Sequence, residues 1–94
     1  MKLNFEWDEE KAKANLKKHK VSFDEATTVF FDPFSITISD PDHSVEEQRY
    51  IDIGSSDKGH VLVVVYTERG SNIRIISSRK AALSERKLYQ EGSN

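Results

Sequence analysis

One uninterrupted apolar run, from Val61 to Tyr66, constrains the fold more than any other part of this 94-residue sequence. Most of its residues are β-branched valines, which favour strands over helices. A strand that is apolar at every position, rather than at every second one, is typical of a central strand covered on both faces. We therefore expect residues 61–67 to form the middle of a sheet with helices packed against it.

Two helices are predicted before this strand. Asp8 is a suitable N-cap for a helix that extends to about Lys18, with acidic residues in its first turn and basic residues in its last. The sequence Ser-Phe-Asp-Glu at 22–25 is a capping box that begins a second, short helix. Proline at position 33 ends that helix because it lacks the N–H that would continue the ladder. The predicted buried stripe of the first helix is Ala12, Asn15, Leu16 and His19.

The remaining segments predict strands and a final helix. Residues 35–38 and 49–53 alternate between apolar and polar positions, separated by a turn and acidic loop that begin at 40–42. The predicted elements that follow are a hairpin loop at 54–59, a turn at 69–72, a strand at 73–78, and a helix at 80–91 capped by Ser78 or Ser84. We expect a single α+β domain over residues 1–94, with two N-terminal helices, a three- to four-stranded antiparallel meander sheet and a C-terminal helix.

The composition excludes several kinds of site. The chain has no cysteine, so neither a disulfide framework nor a thiolate metal site is available. His19, His43 and His60 lack the spacing of a dedicated zinc site, and we expect neither a metal nor a cofactor. The longest apolar run is too short to span a bilayer, and the N-terminus lacks the core of a signal peptide. These features predict a cytoplasmic protein with no membrane contact.

Charge is distributed unevenly along the chain, although the formal net charge is only −2. Residues 32–57 carry seven acidic side chains and one basic one, whereas residues 68–87 carry six basic and two acidic side chains. Such asymmetry suits a protein with one face for an anionic ligand. It is also consistent with two halves of an ordinary solvated surface, which is the more common origin of a charge cluster.

Three arginines near the last hairpin are the candidates for an anion site: Arg69, Arg74 and Arg79. By alternation Arg74 shares its face with Ile76 and Ser78. If the turn at 69–72 leaves an even number of loop residues, Arg74 also shares a face with Thr67, and the other two arginines flank it. Three guanidiniums there could hold a phosphate and stabilise a charged transition state. The alternative, which the strand pattern alone favours, is three surface arginines paired with the acidic middle segment.

Four further residues could take part in chemistry or binding. His19 could act as a general base, because its ordinary pKa lies near neutrality, or it could simply cap its helix. Glu68 could be a base or the surface partner of Arg69. Glu85 and Tyr89 lie one helical turn apart, and Tyr89 could stack on a nucleic-acid base or fill the core.

Short motifs along nearly the whole chain resemble the BrnT toxin family. They are FEWD at 5–8, Asn15-Leu16, Lys18-His19, VSFDEA at 21–26, VFFDP at 29–33, Arg49, VYTER at 65–69, RIISSR at 74–79, Glu85 and Tyr89. The resemblance is specific because the motifs occur in one order at compatible spacing. It implies a RelE-like ribonuclease fold and a toxin that stops translation by cutting RNA.

The resemblance also implies partners and site residues. The implied partner is a BrnA-like antitoxin with a ribbon-helix-helix part that binds operator DNA, so that the complex represses its own operon. The basic and polar positions of the family correspond here to Lys18, His19, Arg49, Glu68, Arg69, Arg74, Arg79 and Tyr89. This chain departs from the family at Lys20, where glycine is usual, and at Ser78, where alanine is usual. Glycine at the end of a helix favours the left-handed conformation, so Lys20 is expected to alter that turn.

Together these observations give a hypothesis of metal-independent RNA cleavage, in which the ribose 2′-hydroxyl attacks the adjacent phosphate. The predicted catalytic residues are His19, Glu68, Arg74 and Arg79, and the predicted RNA-binding residues are Lys18, Arg49, Arg69 and Tyr89. His19 or Glu68 would accept the proton, and Lys18, His19 or Tyr89 would assist the leaving group. The alternative is a non-catalytic module that binds protein or nucleic acid, such as a degenerate toxin kept as a co-repressor.

Overall fold

The computed structural model describes residues 3–40 and 47–92 and shows three helices and five strands there. The helices are α1 (Glu9–His19), α2 (Phe23–Thr28) and α3 (Leu83–Gly92), and a 3₁₀ turn at Val29–Phe31 follows α2. The strands are β1 (Asn4–Glu6), β2 (Ile36–Ser39), β3 (Arg49–Ser55), β4 (Val61–Arg69) and β5 (Asn72–Lys80). His43 and most of the predicted turn and acidic loop that begin at residue 40 lie outside the described residues.

The five strands form one mixed sheet in the order β1-β5-β4-β3-β2. The α+β class is confirmed, but the prediction of three or four strands that are all antiparallel is wrong, because β1 adds a fifth strand parallel to β5. This strand has only three residues, too few to show a two-residue period. Its pairing, with Phe5 opposite Ile73, depends on contacts remote in sequence.

The central position predicted for β4 is confirmed. It pairs with β3 on one side and with β5 on the other. One side of the sheet, which we call the helical face, carries Leu62, Val64 and Tyr66 of β4 and Ile75 of β5 in the hydrophobic core. Their partners from α2 and its flanking residues are Val21, Phe23, Ala26 and Val29. The core is therefore formed where α2 packs on the middle of the sheet.

Both N-terminal helices begin at the predicted residues. The Asp8 carboxylate accepts hydrogen bonds from the backbone N–H groups of Glu10 and Lys11, and Ser22 Oγ accepts one from the N–H of Glu25. Among the described residues the reciprocal hydrogen bond, from the Ser22 N–H to the Glu25 carboxylate, is absent, because that carboxylate turns inward to Ser56 and His60. The predicted capping box is thus present in its first half only.

The predicted buried stripe of α1 is partly wrong. Asn15 is buried, but the side chain of Leu16 is 49% exposed. Leu16 is exposed because the polar side chain of Asn15, and not that of Leu16, contacts the sheet. Asn15 Nδ2 donates to the carbonyl oxygens of Ser78 (2.8 Å) and Val21 (2.9 Å), and its Oδ1 accepts from the Ser78 N–H at 3.1 Å. β1 pairs only with residues 72–74 of β5. Asn15 therefore makes hydrogen bonds to Ser78 that a neighbouring strand would otherwise make.

Two further predictions, at the end of α1 and at the start of α3, are wrong. Lys20 does not alter the turn after α1, because it adopts the left-handed conformation itself, with φ 61°, the sole positive φ of a non-glycine residue in the described ranges. Its N–H bonds to the Leu16 carbonyl as in a helix ending usually made by glycine. Neither Ser78 nor Ser84 caps α3, because Ser78 lies buried in β5 and Ser84 lies inside the helix. Instead Glu85 Oε1 accepts from the Ala82 N–H at 2.8 Å.

Candidate functional site

The side of the sheet opposite the helical face carries most of the arginines. Arg49 of β3, Thr67 of β4 and Arg74 of β5 lie directly opposite one another, with Glu6 of β1 beside Arg74. Residues opposite each other on paired strands point to the same side of a sheet. We call this side the arginine face, and its members used below are Arg49, Thr67, Arg69, Arg74, Ser77 and Arg79.

A β-bulge in β5 brings Arg74 and Arg79 to this same face. The register changes so that Tyr66 lies opposite Ile75 while Val65 lies opposite Ser77. Ile76 is therefore an extra residue, and it shifts the alternation beyond it by one position. The prediction that Arg74 shares its face with Ile76 and Ser78 is wrong for this reason. Ser78 is fully buried and lies opposite Val64 on the helical face.

Two arginines of the face are held by nearby carboxylates in well-formed ion pairs. Arg74 Nη1 donates to Glu6 Oε2 at 2.8 Å, and Arg79 makes a bidentate pair with Glu85 at 2.7 and 2.8 Å. Hydrogen bonds from Asn72 and Arg74 lower the pKa of Glu6. The hydrogen bond from Arg79 lowers the pKa of Glu85, against the opposing effect of burial. Both glutamates are therefore ionised at neutral pH and fix the two guanidiniums in place.

The other two arginines meet Glu47. Arg69 Nη2 lies 3.4 Å from Glu47 Oε1, and Arg49 Nε lies 3.6 Å from Glu47 Oε2. The second distance is too long for a hydrogen bond. Arg49 Nε is thus a buried donor without an acceptor among residues 3–40 and 47–92.

The arginines do not all gather at one point. Arg49 and Arg74 lie in one row, and Arg69 lies at the end of β4 opposite Asn72. Arg79 lies five residues further along β5 than Arg74, which corresponds to about 15 Å of strand. The face therefore has a cluster of three arginines at one end and a single arginine at the other.

His19 and Lys18 approach the middle of β5 from the end of α1. Together with Ile76 and Ser77 they line a shallow cavity of about 250 Å³. Ser77 lies on the arginine face between Arg74 and Arg79. The structure thus brings a histidine and a lysine beside the stretch of strand that separates the two arginines.

Glu68 and Tyr89 lie apart from this arrangement. Glu68 is opposite Ile73, on the side of the sheet that carries the core, so Glu68 and Arg74 point to opposite faces. The Tyr89 hydroxyl donates to Asp32 Oδ2 at 2.6 Å. That hydrogen bond, with burial, raises the pKa of Tyr89 to about 12. Tyr89 and Glu85, one turn apart as predicted, both anchor α3 to the rest of the domain.

Glu6 and Ser77 are two residues of the site that the residue patterns missed. The parallel pairing of β1 places Glu6 beside Arg74, and the bulge turns Ser77 to the arginine face. Glu6 falls within the FEWD motif of the resemblance, which was its only signal. In the described ranges no three His, Asp or Glu side chains gather as metal ligands, and no helix there has the length and apolar character needed to cross a membrane.

These features define a small α+β protein with arginines arrayed along one side of its sheet and a histidine at the edge. Residues 7–85 match the family described as "Ribonuclease toxin, BrnT, of type II toxin-antitoxin system", and the chain therefore belongs to the BrnT family of ribonuclease toxins. The resemblance inferred from the motifs is confirmed. Membership implies an antitoxin partner and an RNA target.

A solved structure supports the same fold. The crystal structure of the Brucella abortus ribonuclease toxin BrnT, at 1.1 Å resolution, is similar with a TM-score of 0.63 and 23% sequence identity. The similarity covers 86% of this chain and 99% of the Brucella chain. A search of the curated proteins gives no match.

Proposed function

We propose that this protein is a metal-independent endoribonuclease that inhibits translation in the cytoplasm and is neutralised by a BrnA-like ribbon-helix-helix antitoxin. In this proposal the toxin reaches operator DNA only through the antitoxin. The observation that supports cleavage most directly is the placement of Arg74, Ser77 and Arg79 on one face, with His19 beside Ser77. An RNA strand lying along β5 would contact Arg74, then His19 as the general base, and then Arg79.

The chemistry follows from these groups. His19 accepts the proton of a ribose 2′-hydroxyl, whose oxygen forms a bond to the adjacent phosphorus while the bond from phosphorus to the 5′-oxygen breaks. The Lys18 ammonium donates a proton to the departing oxygen. The products are a 2′,3′-cyclic phosphate and a free 5′-hydroxyl. His19 is preferred to Glu68 as the base because Glu68 lies on the other side of the sheet.

The arginines supply the charge that the transition state requires. A pentavalent phosphorus carries two negative charges, and guanidiniums fixed in advance stabilise them without reorganisation. Each guanidinium has five N–H donors. Arg74 uses one of them on Glu6 and Arg79 uses two on Glu85, so donors remain for phosphate on both. Arg49 and Arg69 would hold the strand on one side of the cleaved bond.

The test is incubation of the purified protein with single-stranded RNA in excess EDTA. We expect cleavage to continue and to leave 2′,3′-cyclic phosphate ends, detectable by mass spectrometry. A matched RNA with 2′-deoxyribose at the cleaved position should remain intact. Cleavage that EDTA abolishes would refute the metal-independent mechanism.

A second candidate, a non-catalytic co-repressor, is favoured by one observation. Arg74 and Arg79 already have carboxylate partners, as they would in a face that serves structure alone. This candidate predicts no cleavage even at high protein concentration, together with tighter operator binding when the protein is added to its antitoxin. The RNA incubation and an operator-binding titration together distinguish the two.

A further inference from the structure

A second basic region lies at the end of the sheet, where the loop between β3 and β4 meets the start of α3. A cavity of about 260 Å³ opens there. Its lining residues are Gly59, His60, Val61, Lys80, Ala81 and Arg86. Three of the six carry basic side chains and none is acidic, so the cavity has the composition of an anion site.

Two of the three basic side chains of this cavity, Lys80 and Arg86, differ from Arg74 and Arg79 of the arginine face in being unpaired. Lys80 and Arg86 are exposed, and neither makes an ion pair with the described part of the chain. Arg74 and Arg79, by contrast, each lie within 2.8 Å of a glutamate oxygen. An incoming anion at the cavity would therefore displace water only, and not a carboxylate.

A buried glutamate fixes the third basic side chain. Glu25 Oε2 lies 2.9 Å from His60 Nδ1 and accepts a hydrogen bond from Ser56 Oγ at 2.6 Å. Burial would raise the pKa of Glu25, but the hydrogen bonds from Ser56 and His60 outweigh it and lower the pKa. With Nδ1 engaged, the other ring nitrogen of His60 remains for a ligand, since 43% of the side chain is exposed.

The loop backbone leaves the cavity open. Gly59 has φ +79°, a conformation that other residues adopt only with strain, and a Cβ placed there would meet no atom within 4 Å. The same loop is held by hydrogen bonds from Gly59 N to Ser56 O and from Ser56 N to His60 O. The cavity rim is thus formed by a fixed turn without a side chain at Gly59.

We propose that this cavity binds a phosphate group of the RNA backbone, other than the one that is cleaved. Lys80 and Arg86 would contact the phosphate oxygens, and the imidazolium form of His60, with Nδ1 bonded to Glu25, would donate from Nε2. Lys80 directly follows Arg79 in β5 but lies opposite Leu62 of the helical face, so the cavity lies at the end of the sheet beyond Arg79 and not on the arginine face itself. The inference rests on the proposed function, because it takes the same RNA strand past Arg79 and around the end of the sheet.

The experiment measures binding without cleavage. An RNA oligonucleotide with 2′-O-methyl groups cannot be cut by attack of its own 2′-oxygen, and its affinity is measured over a range of salt concentrations. Lys80→Ala with Arg86→Ala should weaken binding about tenfold, the effect of losing one or two hydrogen bonds to charged groups. The slope of log affinity against log salt should become shallower by about 0.7, the value for one phosphate on a single strand.

The matched control is Lys13→Ala with Lys17→Ala on α1, which removes the same charge away from the cavity. It should leave the affinity and the slope nearly unchanged, and circular dichroism should show that both double variants are folded. Equal loss in the two double variants would overturn the proposal, since the effect would then be one of net charge. Unchanged RNA affinity with weakened antitoxin binding would overturn it in favour of an acidic protein segment.

Failure of this inference is distinguishable from failure of the cleavage proposal. If unmodified RNA is not cut but the cavity variant binds the modified RNA more weakly than its control does, the cavity is supported and cleavage is refuted. If RNA is cut but the cavity variant binds like the wild type, cleavage stands and the cavity is refuted.

Discussion

The core residues of the helical face and the arginines of the other face differ in physical character, although they lie on the same strands and the arginine face also buries Ile53, Val63 and Thr67. On the helical face, Leu62, Val64, Tyr66 and Ile75 are at most 7% exposed. On the arginine face, the side chains of Arg74 and Arg79 are 27% and 43% exposed and are bound by carboxylates. Alternation along each strand separates the two sets at single-residue spacing. The contrast places the hydrophobic core cluster on the helical face and the proposed chemistry on the arginine face.

The largest expected change in stability is on the helical face. Leu62→Ala removes a fully buried side chain, and we expect the free energy of unfolding to fall by about 2–5 kcal/mol because a cavity remains. Urea denaturation measures this. Leu83→Ala, at a side chain that is 68% exposed, is the control and should change stability by less than about 0.5 kcal/mol. Equal losses in the two would contradict the assignment of stability to this face.

Arg74→Ala, on the arginine face, should lower activity and leave stability nearly unchanged. We expect RNA cleavage to fall about 10²–10³-fold, as when one fixed donor to a transition-state charge is removed, with little change in the midpoint of thermal unfolding. Arg79→Ala should reduce RNA cleavage to a similar extent, and both variants should lose toxicity when their expression is induced. Lys13→Ala is a control that removes a charge elsewhere. Full activity in both arginine variants would remove the proposed site.

Asn15→Ala should affect both faces, because Asn15 joins α1 to β5 by two buried hydrogen bonds with Ser78 and makes a third to the Val21 carbonyl. Leaving the backbone groups of Ser78 unsatisfied should cost about 1–3 kcal/mol of unfolding free energy. Activity per folded molecule should also fall, since His19 lies on the next turn of the same helix. Leu16→Ala is the neighbouring control. A loss of stability with unchanged kcat would show that α1 does not position the base.

Asp52→Asn is expected to have the smallest effect on stability, and the size of that effect depends on pH. Asp52 is 4% exposed on the helical face, and burial raises its pKa despite hydrogen bonds from Thr37 and Tyr66. A carboxyl with a raised pKa in the folded state stabilises the fold only when it is protonated, and that contribution is lost as pH rises through its pKa.

The asparagine oxygen can accept the same two hydrogen bonds without ionising. The variant should therefore melt a few degrees higher than the wild type near pH 7. This advantage should vanish in acid, below the ordinary aspartate pKa of about 3.9. Melting curves at several pH values check the prediction, and a lower melting temperature at neutral pH would refute it.

Local patterns predicted those parts of the fold that depend on neighbouring residues. The cap at Asp8, the cap at Ser22 and the central position of β4 follow from short-range spacing, and all are present. The parallel strand β1 was missed because three residues carry no periodicity and their partner lies near the other end of the chain. The spacing of apolar residues predicts that Leu16 is buried, because such spacing cannot show that the polar Asn15 makes the contact between α1 and β5.

The candidate site was predictable in its residues but not in its geometry. Arg74, Arg79 and His19 follow from residue type and from the resemblance, whereas the placement of Arg74 and Arg79 on one face depends on a bulge that strict alternation excludes. Glu68 was named as a base because it adjoins Arg69 in sequence, yet adjacent residues of a strand point to opposite sides. The carboxylate partners Glu6 and Glu85 required the tertiary structure.

The extra residue at Ile76 decides which changes of length this strand can accept. Straightening the bulge without a change of length would invert the rest of the strand, turning the Arg79 guanidinium toward the hydrophobic core and Ser78 toward solvent. Deleting Ile76, in contrast, would restore regular alternation and leave Ser77, Ser78 and Arg79 on their present faces. Homologous chains should therefore tolerate the loss of this one residue far more readily than an insertion beside it.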